Sequence, residues 1–212
     1  MKLVKICGLS SQDSVDVSVK NGADMIGFNF FESSPRYVSP AQAGALCGRM
    51  PEGVERVGLV VDASDDEIAT ILAKASLSVL QLHGKETPER VAEVSSRFSL
   101  PVMKACAISQ GADLDKAAIY QEVAAALLFD AKPPKDATRP GGNAVTFDWT
   151  LLKDQKWTCP WLLAGGLTVE NVSDALSISG APGVDLSSGV EDAPGIKNPA
   201  KIEAFIAAVK AA

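Results

Sequence analysis

The chain has 212 residues, of which 47% are hydrophobic and 22% charged, with a formal net charge of −6 at pH 7; that length and mix suit one domain, residues 1–212, with a large apolar core. The acidic balance and the scatter of Lys and Arg argue against nucleic acid as a partner, because a phosphate backbone is met by a basic patch. The longest apolar run, residues 123–129, is far shorter than the ~20 residues of a membrane span, so no membrane partner is expected either.

In chain order, short apolar runs alternate with amphipathic stretches. LVKIC (3–7) reads as a strand and residues 10–22 as a helix with Val15 and Val19 one turn apart. MIGFNF (25–30) is the second strand; Ser39 then caps a helix over 40–50 that has Pro40 at its first position. RVGLVVD (56–62) precedes a helix to Lys74 in which Ser64 and Glu67 form a capping box. VLQLH (79–83) and a helix over 87–98 follow, then PVMKACA (101–107) and a helix over 114–125. ALLFDA (126–131) leads to a long loop and a helix over 147–153; WLLAGG (161–166) leads to a helix over 168–178. GVDLSS (183–188) is the last strand, before a helix over 198–210 with Asn198 as cap and Pro199 in the first turn. The strand runs are nearly continuous in Val, Leu, Ile and Phe, as parallel strands buried on both faces are. Eight strand–helix units in a chain of this length predict an α/β fold of the (β/α)8 barrel type. A doubly wound open sheet is the alternative; it needs fewer strands and usually carries a Gly-rich turn after the first, which here reads CGLSSQD.

In such a barrel the site forms at the carboxyl ends of the strands. Strand seven ends in AGG and strand eight in SSG. Gly165, Gly166, Ser187, Ser188 and Gly189 are therefore candidate phosphate-binding residues: glycine lets backbone N–H groups approach an anion, and a following helix N-terminus adds a favourable dipole. The bland reading is that these glycines only turn the chain. Cys7 and Asp130 also fall at strand ends, and period-two alternation turns them into the barrel mouth, Cys7 with Lys5 on its face and Asp130 with Leu128. A thiol acts as a base only when partly ionised, and Lys5 would help by lowering its pKa. A lone Cys is otherwise a small buried hydrophobe, the reading given to Cys47 and Cys106, while Cys159 reads as a loop thiol. Asp130 equally suits an ion pair with Lys132 or Lys104. Arg36, behind the stiffening Pro35, can present a guanidinium fork to a carboxylate or be a solvated surface group. His83 is the single histidine and a site neighbour of open role. Asp185 either orients sugar hydroxyls or neutralises Lys5 or Lys104. One histidine and four cysteines without C-x-x-C spacing suggest no zinc or iron site. The absence of a disulfide framework, and a start (MKLVKICGLSS) whose apolar stretch is broken by Lys5, lead us to expect a cytoplasmic protein.

VKICGL (4–9), GADMIGFNFFESSPRYVS (22–39), LQLHG (80–84), LLFDA (127–131), FDW (147–149), LLAGGLTVENV (162–172) and VDLSSGVE (184–191), in that order, resemble the phosphoribosylanthranilate isomerase family of tryptophan biosynthesis nearly end to end. The resemblance implies an Amadori rearrangement of N-(5-phosphoribosyl)anthranilate to 1-(2-carboxyphenylamino)-1-deoxyribulose 5-phosphate. It implies Cys7 as the base, Asp130 as the acid and Arg36 as the group holding the anthranilate carboxylate, with no cofactor or metal and a small-molecule substrate as partner. Two departures stand out. The family's G-G-T-G is Gly141-Gly142-Asn143-Ala144, and Ala tolerates positive φ poorly; G-x-K-D is Gly195-Ile196-Lys197-Asn198, where Asn caps as well as Asp. The rivals are another phosphosugar isomerase or epimerase on the same barrel and a non-catalytic barrel that binds a phosphorylated ligand. Metal-dependent epimerases want more than one histidine, a histidine-pathway isomerase would carry aspartate in place of Cys7, and a sensor would have lost the acid–base pair. A monomer is expected, although nothing in the sequence fixes the oligomeric state.

Overall fold

The computed structural model describes residues 2–134, 136–137 and 139–212. Eight parallel strands close into a barrel in chain order: β1 (Leu3–Cys7), β2 (Met25–Asn29), β3 (Glu55–Val60), β4 (Val79–Leu82), β5 (Val102–Ile108), β6 (Ala126–Ala131), β7 (Trp161–Leu163) and β8 (Gly183–Leu186). Pairing of β1 with β8 closes the ring and sets Lys5 against Asp185. The open-sheet alternative is thereby excluded.

The helices are α1 (Gln12–Lys20), α2 (Pro40–Cys47), α3 (Asp65–Leu72), α4 (Pro88–Phe98), α5 (Gly111–Ala118), α6 (Val172–Ser179) and α7 (Pro199–Ala211). Their starts are set locally. The side chains of Ser39, Ser64 and Asn198 each accept from a backbone N–H in the first turn, and Ser64 with Glu67 forms the full capping box. Three expectations change; the delayed start of α6, at Val172 rather than 168, belongs to the loop after β7. The helix expected over 114–125 begins earlier, at Gly111, and runs into a 3₁₀ turn (Ile119–Glu122). The segment over 147–153 shortens to a 3₁₀ turn (Trp149–Leu152), which Asp148 caps through the Thr150 N–H; a stretch of seven residues is too short to offset helix nucleation.

The core has two parts. Outward-facing strand residues such as Ile6, Phe28 and Phe129 pack under the helices, where α7 contributes Ile202, Phe205 and Ile206. Inside the barrel, Met103, Ala105, Leu128, Leu162 and Ala164 form a smaller apolar plug. Leu128 thus fills the barrel while Asp130, two residues on, reaches its mouth. Beyond β8 the chain forms a small antiparallel hairpin, β9 (Glu191–Ala193) and β10 (Ile196–Lys197), folded at Pro194-Gly195.

Candidate active site

The carboxyl ends of the strands surround one cleft whose lining includes Cys7, Arg36, His83, Asp130, Gly165, Gly166, Asp185, Ser187 and Ser188. These are the expected site residues with one exception. Gly189 is not in the lining; a Cβ there would lie 2.1 Å from the Leu167 carbonyl oxygen, so its small size serves loop packing.

Cys7 ends β1 and is almost fully buried. It pairs with Gly27 on β2, and a Cβ on Gly27 would lie 2.7 Å from the sulfur. Glycine at that position leaves the room the thiol occupies. Lys5, wholly buried on the same face, places Nζ 2.7 Å from Asp185 Oδ1. Asp185 therefore neutralises Lys5, one of its two expected roles; Lys104 pairs instead with Glu86 at 2.9 Å. Burial drives the Cys7 thiol above its ordinary value; Lys5 opposes this, Asp185 adds to it, and Lys197 also opposes it. The expected help from Lys5 is present but is outweighed, because low polarity penalises the thiolate and Asp185 offsets the lysine charge.

Asp130 ends β6, and its Oδ1 accepts from the Ala131 N–H at 2.8 Å. Its partner is His83 rather than a lysine: His83 Nε2 lies 3.3 Å from Asp130 Oδ2. On the other side of the ring, Gln81 Nε2 is 2.9 Å from His83 Nδ1. The direction of this bond follows the imidazole tautomer: an Nδ1 lone pair accepts from the Gln81 amide and leaves the ring proton on Nε2, toward the carboxylate, whereas the turned amide would accept from Nδ1–H and satisfy the Gln81 oxygen, which is otherwise buried without a partner. Gln81 lies two residues before His83 on a buried strand, a spacing that places both inside the barrel but does not by itself name a role. Gly141 passes over this pair, close enough that a Cβ would lie 2.7 Å from Asp130 Oδ2 and 2.8 Å from His83 Nε2.

Arg36 follows β2 and is buried rather than solvated. Its Nε and Nη2 donate to Glu191 Oε1 and Oε2 at 2.7 and 2.8 Å, a bidentate ion pair across the mouth. The fork is thus already held by the protein, and Nη1 is the nitrogen that approaches Gly142. Lys197 joins the cluster with Nζ 2.8 Å from Glu191 Oε1 and 2.7 Å from the Ser187 carbonyl oxygen. Burial pulls Lys197 below its usual range, and Arg36 adds to this while Glu191 opposes it. Burial would raise Glu191, yet its bonds to Arg36 and Lys197 win and hold it below the usual carboxylate range. Glu191 and Lys197 fall in segments the sequence already marked, VDLSSGVE and Gly195–Asn198, but no role was read for either; the signal available was a pair of opposite charges flanking a Pro-Gly turn.

Gly165 and Gly166 both adopt left-handed φ, 89° and 60°. The helix expected directly after them starts later, at Val172, because Asn171 first ties the loop: its Oδ1 accepts from Thr168 N–H and its Nδ2 donates to Gly166 O. The donors this side of the cleft offers are therefore loop N–H groups and serine hydroxyls rather than a helix end beginning at the glycines. Arg139, also in the lining, has a buried Nε with no hydrogen-bond partner among the described residues.

Residues 4–208 match the sequence model of the N-(5'phosphoribosyl)anthranilate (PRA) isomerase family. The chain belongs to that family. A phosphoribosylanthranilate isomerase of Paramagnetospirillum magneticum is 54% identical over 207 residues, covering 98% of this chain and 96% of that one. That of Rhodospirillum rubrum is 53% identical over 212 residues, covering 98% and 97%. Among solved structures, the isomerase from Thermotoga maritima superposes with a TM-score of 0.90 at 36% identity over the full length of both chains. Another phosphoribosylanthranilate isomerase, in complex with reduced 1-(o-carboxyphenylamino)-1-deoxyribulose 5-phosphate, superposes with a TM-score of 0.85 at 33% identity, again over both full chains. Of the two departures from the isomerase pattern, Asn198 caps α7 as expected, accepting from Lys201 N–H at 3.1 Å. Ala144 adopts φ 55°, so the loop keeps the left-handed turn despite the side chain.

Proposed function

We propose that this protein catalyses the isomerisation of N-(5'-phosphoribosyl)anthranilate to 1-(2-carboxyphenylamino)-1-deoxyribulose 5-phosphate in tryptophan biosynthesis. The observation that carries the reading is the convergence of a thiol and a carboxylate, from β1 and β6, on one cleft that also holds a guanidinium and two glycine- and serine-bearing loops. We assign Cys7 as base, Asp130 as acid and Arg36 as the carboxylate anchor. Gly165, Gly166, Ser187 and Ser188 form the phosphate seat.

Asp130 gives a proton to the furanose ring oxygen as the substrate's nitrogen lone pair drives the C1–O bond open, leaving a protonated Schiff base. The Cys7 thiolate then takes the proton from C2, and the electron pair of that C–H bond neutralises the iminium, giving an enolamine. Proton return to C1 and loss of the hydroxyl proton yield the ketone. The substrate nitrogen donates its lone pair to open the ring and, as the iminium, is the electron sink when C2 loses its proton. His83, set by Gln81 and 3.3 Å from Asp130, is placed to hold a proton at the acid. An acid or base so positioned contributes typically ~10²–10⁴-fold in rate.

Because the Cys7 thiol lies above its ordinary value, kcat/KM should rise with pH into the alkaline range as thiolate forms. The test is turnover by the purified enzyme, followed chromatographically, together with complementation of a tryptophan auxotroph lacking this isomerase. Cys7→Ala and Asp130→Asn should each lower kcat by at least ~10²-fold with the fold intact. Near-normal turnover by Cys7→Ala would remove the thiol from the mechanism, and failure to complement despite soluble expression would remove the assigned activity. We further infer a cytoplasmic protein, supported by four free thiols among the described residues, and a monomer, for which light scattering is the test.

A further inference from the structure

Between the arginine and the Ser187 loop lies an ionic cluster that performs no acid–base step. Glu191 stands on β9 and Lys197 on β10, and the Pro194-Gly195 turn brings them together. Glu191 Oε1 accepts from both Arg36 Nε, at 2.7 Å, and Lys197 Nζ, at 2.8 Å, while Oε2 accepts from Arg36 Nη2 at 2.8 Å. Lys197 Nζ donates further to the Ser187 carbonyl oxygen at 2.7 Å and to Ser187 Oγ at 3.2 Å. The three charged side chains are only 3–5% exposed.

The valences are informative. An ammonium has three N–H donors, and all three of Lys197 are engaged by Glu191 and Ser187. Lys197 thus has no donor left for a ligand and acts through the groups it holds. Glu191 likewise spends both oxygens on cations. Two cations and one carboxylate leave this nearly dry cluster with one net positive charge, an arrangement stabilised when an anion occupies the cleft beside it.

We propose that Glu191 and Lys197 are positioning residues that join the carboxylate-binding arginine and the phosphate-binding Ser187 loop into one rigid unit, so that the two anionic ends of the substrate are held by a single ionic cluster. The proposal deepens the functional reading above and rests on it for the identity of the two ends. Its consequence is communication: disturbing the arginine side should loosen phosphate on the serine side.

The discriminating variant is Glu191→Gln, with inorganic phosphate as the probe, measured as a competitive inhibitor and by direct calorimetry. Simple electrostatics expects removal of a carboxylate beside an anion site to tighten phosphate binding. The positioning role expects the opposite: Gln keeps one acceptor oxygen but loses the charge, and its NH2 is set against an Arg36 or Lys197 donor, so the hold on Lys197, and through it on Ser187, weakens. We expect phosphate affinity to weaken by roughly fivefold or more and KM for the phosphoribosyl substrate to rise by roughly tenfold or more, with kcat changed much less. Glu191→Asp, which keeps the charge but cannot span all three bonds, should fold like the parent and fall between the two. Phosphate bound equally or more tightly by Glu191→Gln, or by Glu191→Asp where the former does not fold, would overturn the proposal; so would a fall in kcat alone. A parent enzyme that turns over no substrate but binds phosphate would sink the functional reading while leaving the cluster testable by calorimetry. A parent that binds no phosphate would overturn both.

Discussion

Gly165→Ala is the most informative single substitution outside the acid–base pair, because it adds one methyl group where the phosphate seat meets the acid. The residue sits at φ 89°, which an L side chain resists at a cost of roughly 1–2 kcal/mol. The new Cβ would lie 2.6 Å from the Ala131 amide nitrogen, 2.8 Å from Ala131 Cβ and 3.1 Å from Asp130 Oδ1. Relief to an ordinary contact of 3.4 Å requires a shift of about 0.8 Å (3.4 minus 2.6). Ala131 cannot supply it, since it is held in register with Ile108 on β5. The Gly165–Gly166 loop must move instead, away from the acid. Strain and contact together predict a loss of roughly 2–3 kcal/mol, or about 4–12 °C in Tm for a domain of this size. A displacement approaching 1 Å at a positioning loop is worth up to ~10²-fold in rate, so kcat/KM should fall by about that factor. Much of the loss should appear in KM and be matched by weaker inhibition by inorganic phosphate. The assays are steady-state kinetics, phosphate competition and thermal melting of parent and variant side by side. Parent-like kinetics and Tm would refute the reasoning, since they would require the loop to lie elsewhere.

Ala144 occupies a left-handed conformation at an exposed position, so Ala144→Gly should raise stability by up to ~1 kcal/mol, read as a higher thermal midpoint; a lower midpoint would mean that Ala144 is unstrained. Burial raises the Cys47 and Cys106 thiols from 9.0 to about 11 each. The folded state then retains protons that the unfolded state has lost, so this stability is fully present below about pH 9 and is lost as pH rises toward 11. The loss should be on the order of 2–3 kcal/mol per thiol at ~1.4 kcal/mol per pKa unit, measured by urea denaturation at intervals across that window. In Cys47→Ala/Cys106→Ala the alkaline slope should flatten even though the packing loss lowers stability at neutral pH; an unchanged slope would show that these thiols do not titrate as described.

Much of the architecture was legible because parallel barrel strands are buried on both faces and so read as unbroken apolar runs, and because caps such as Ser64 with Glu67 are local chemistry. The inward aim of Cys7 and Asp130 followed from period two alone. Less legible were the loops. The short helix after the long β6 loop and the delayed start of α6 depend on Asp148 and Asn171 bonding to nearby backbone, which competes with helix formation.

Along the chain, neighbours fixed where strands and helices begin, which side chains share a face, and which residue types crowd the strand ends, since each of these is decided within a few residues by sterics and hydrogen-bond valence. Only closure of the barrel chose the partners. Lys5 meets Asp185 across 180 positions, and Arg36 meets Glu191 across 155. Charge attraction is blind to sequence distance and acts on whatever the ring brings within about 3 Å. Closure likewise set a histidine rather than a lysine beside Asp130, and the arginine that a sequence presents as free arrives already clasped.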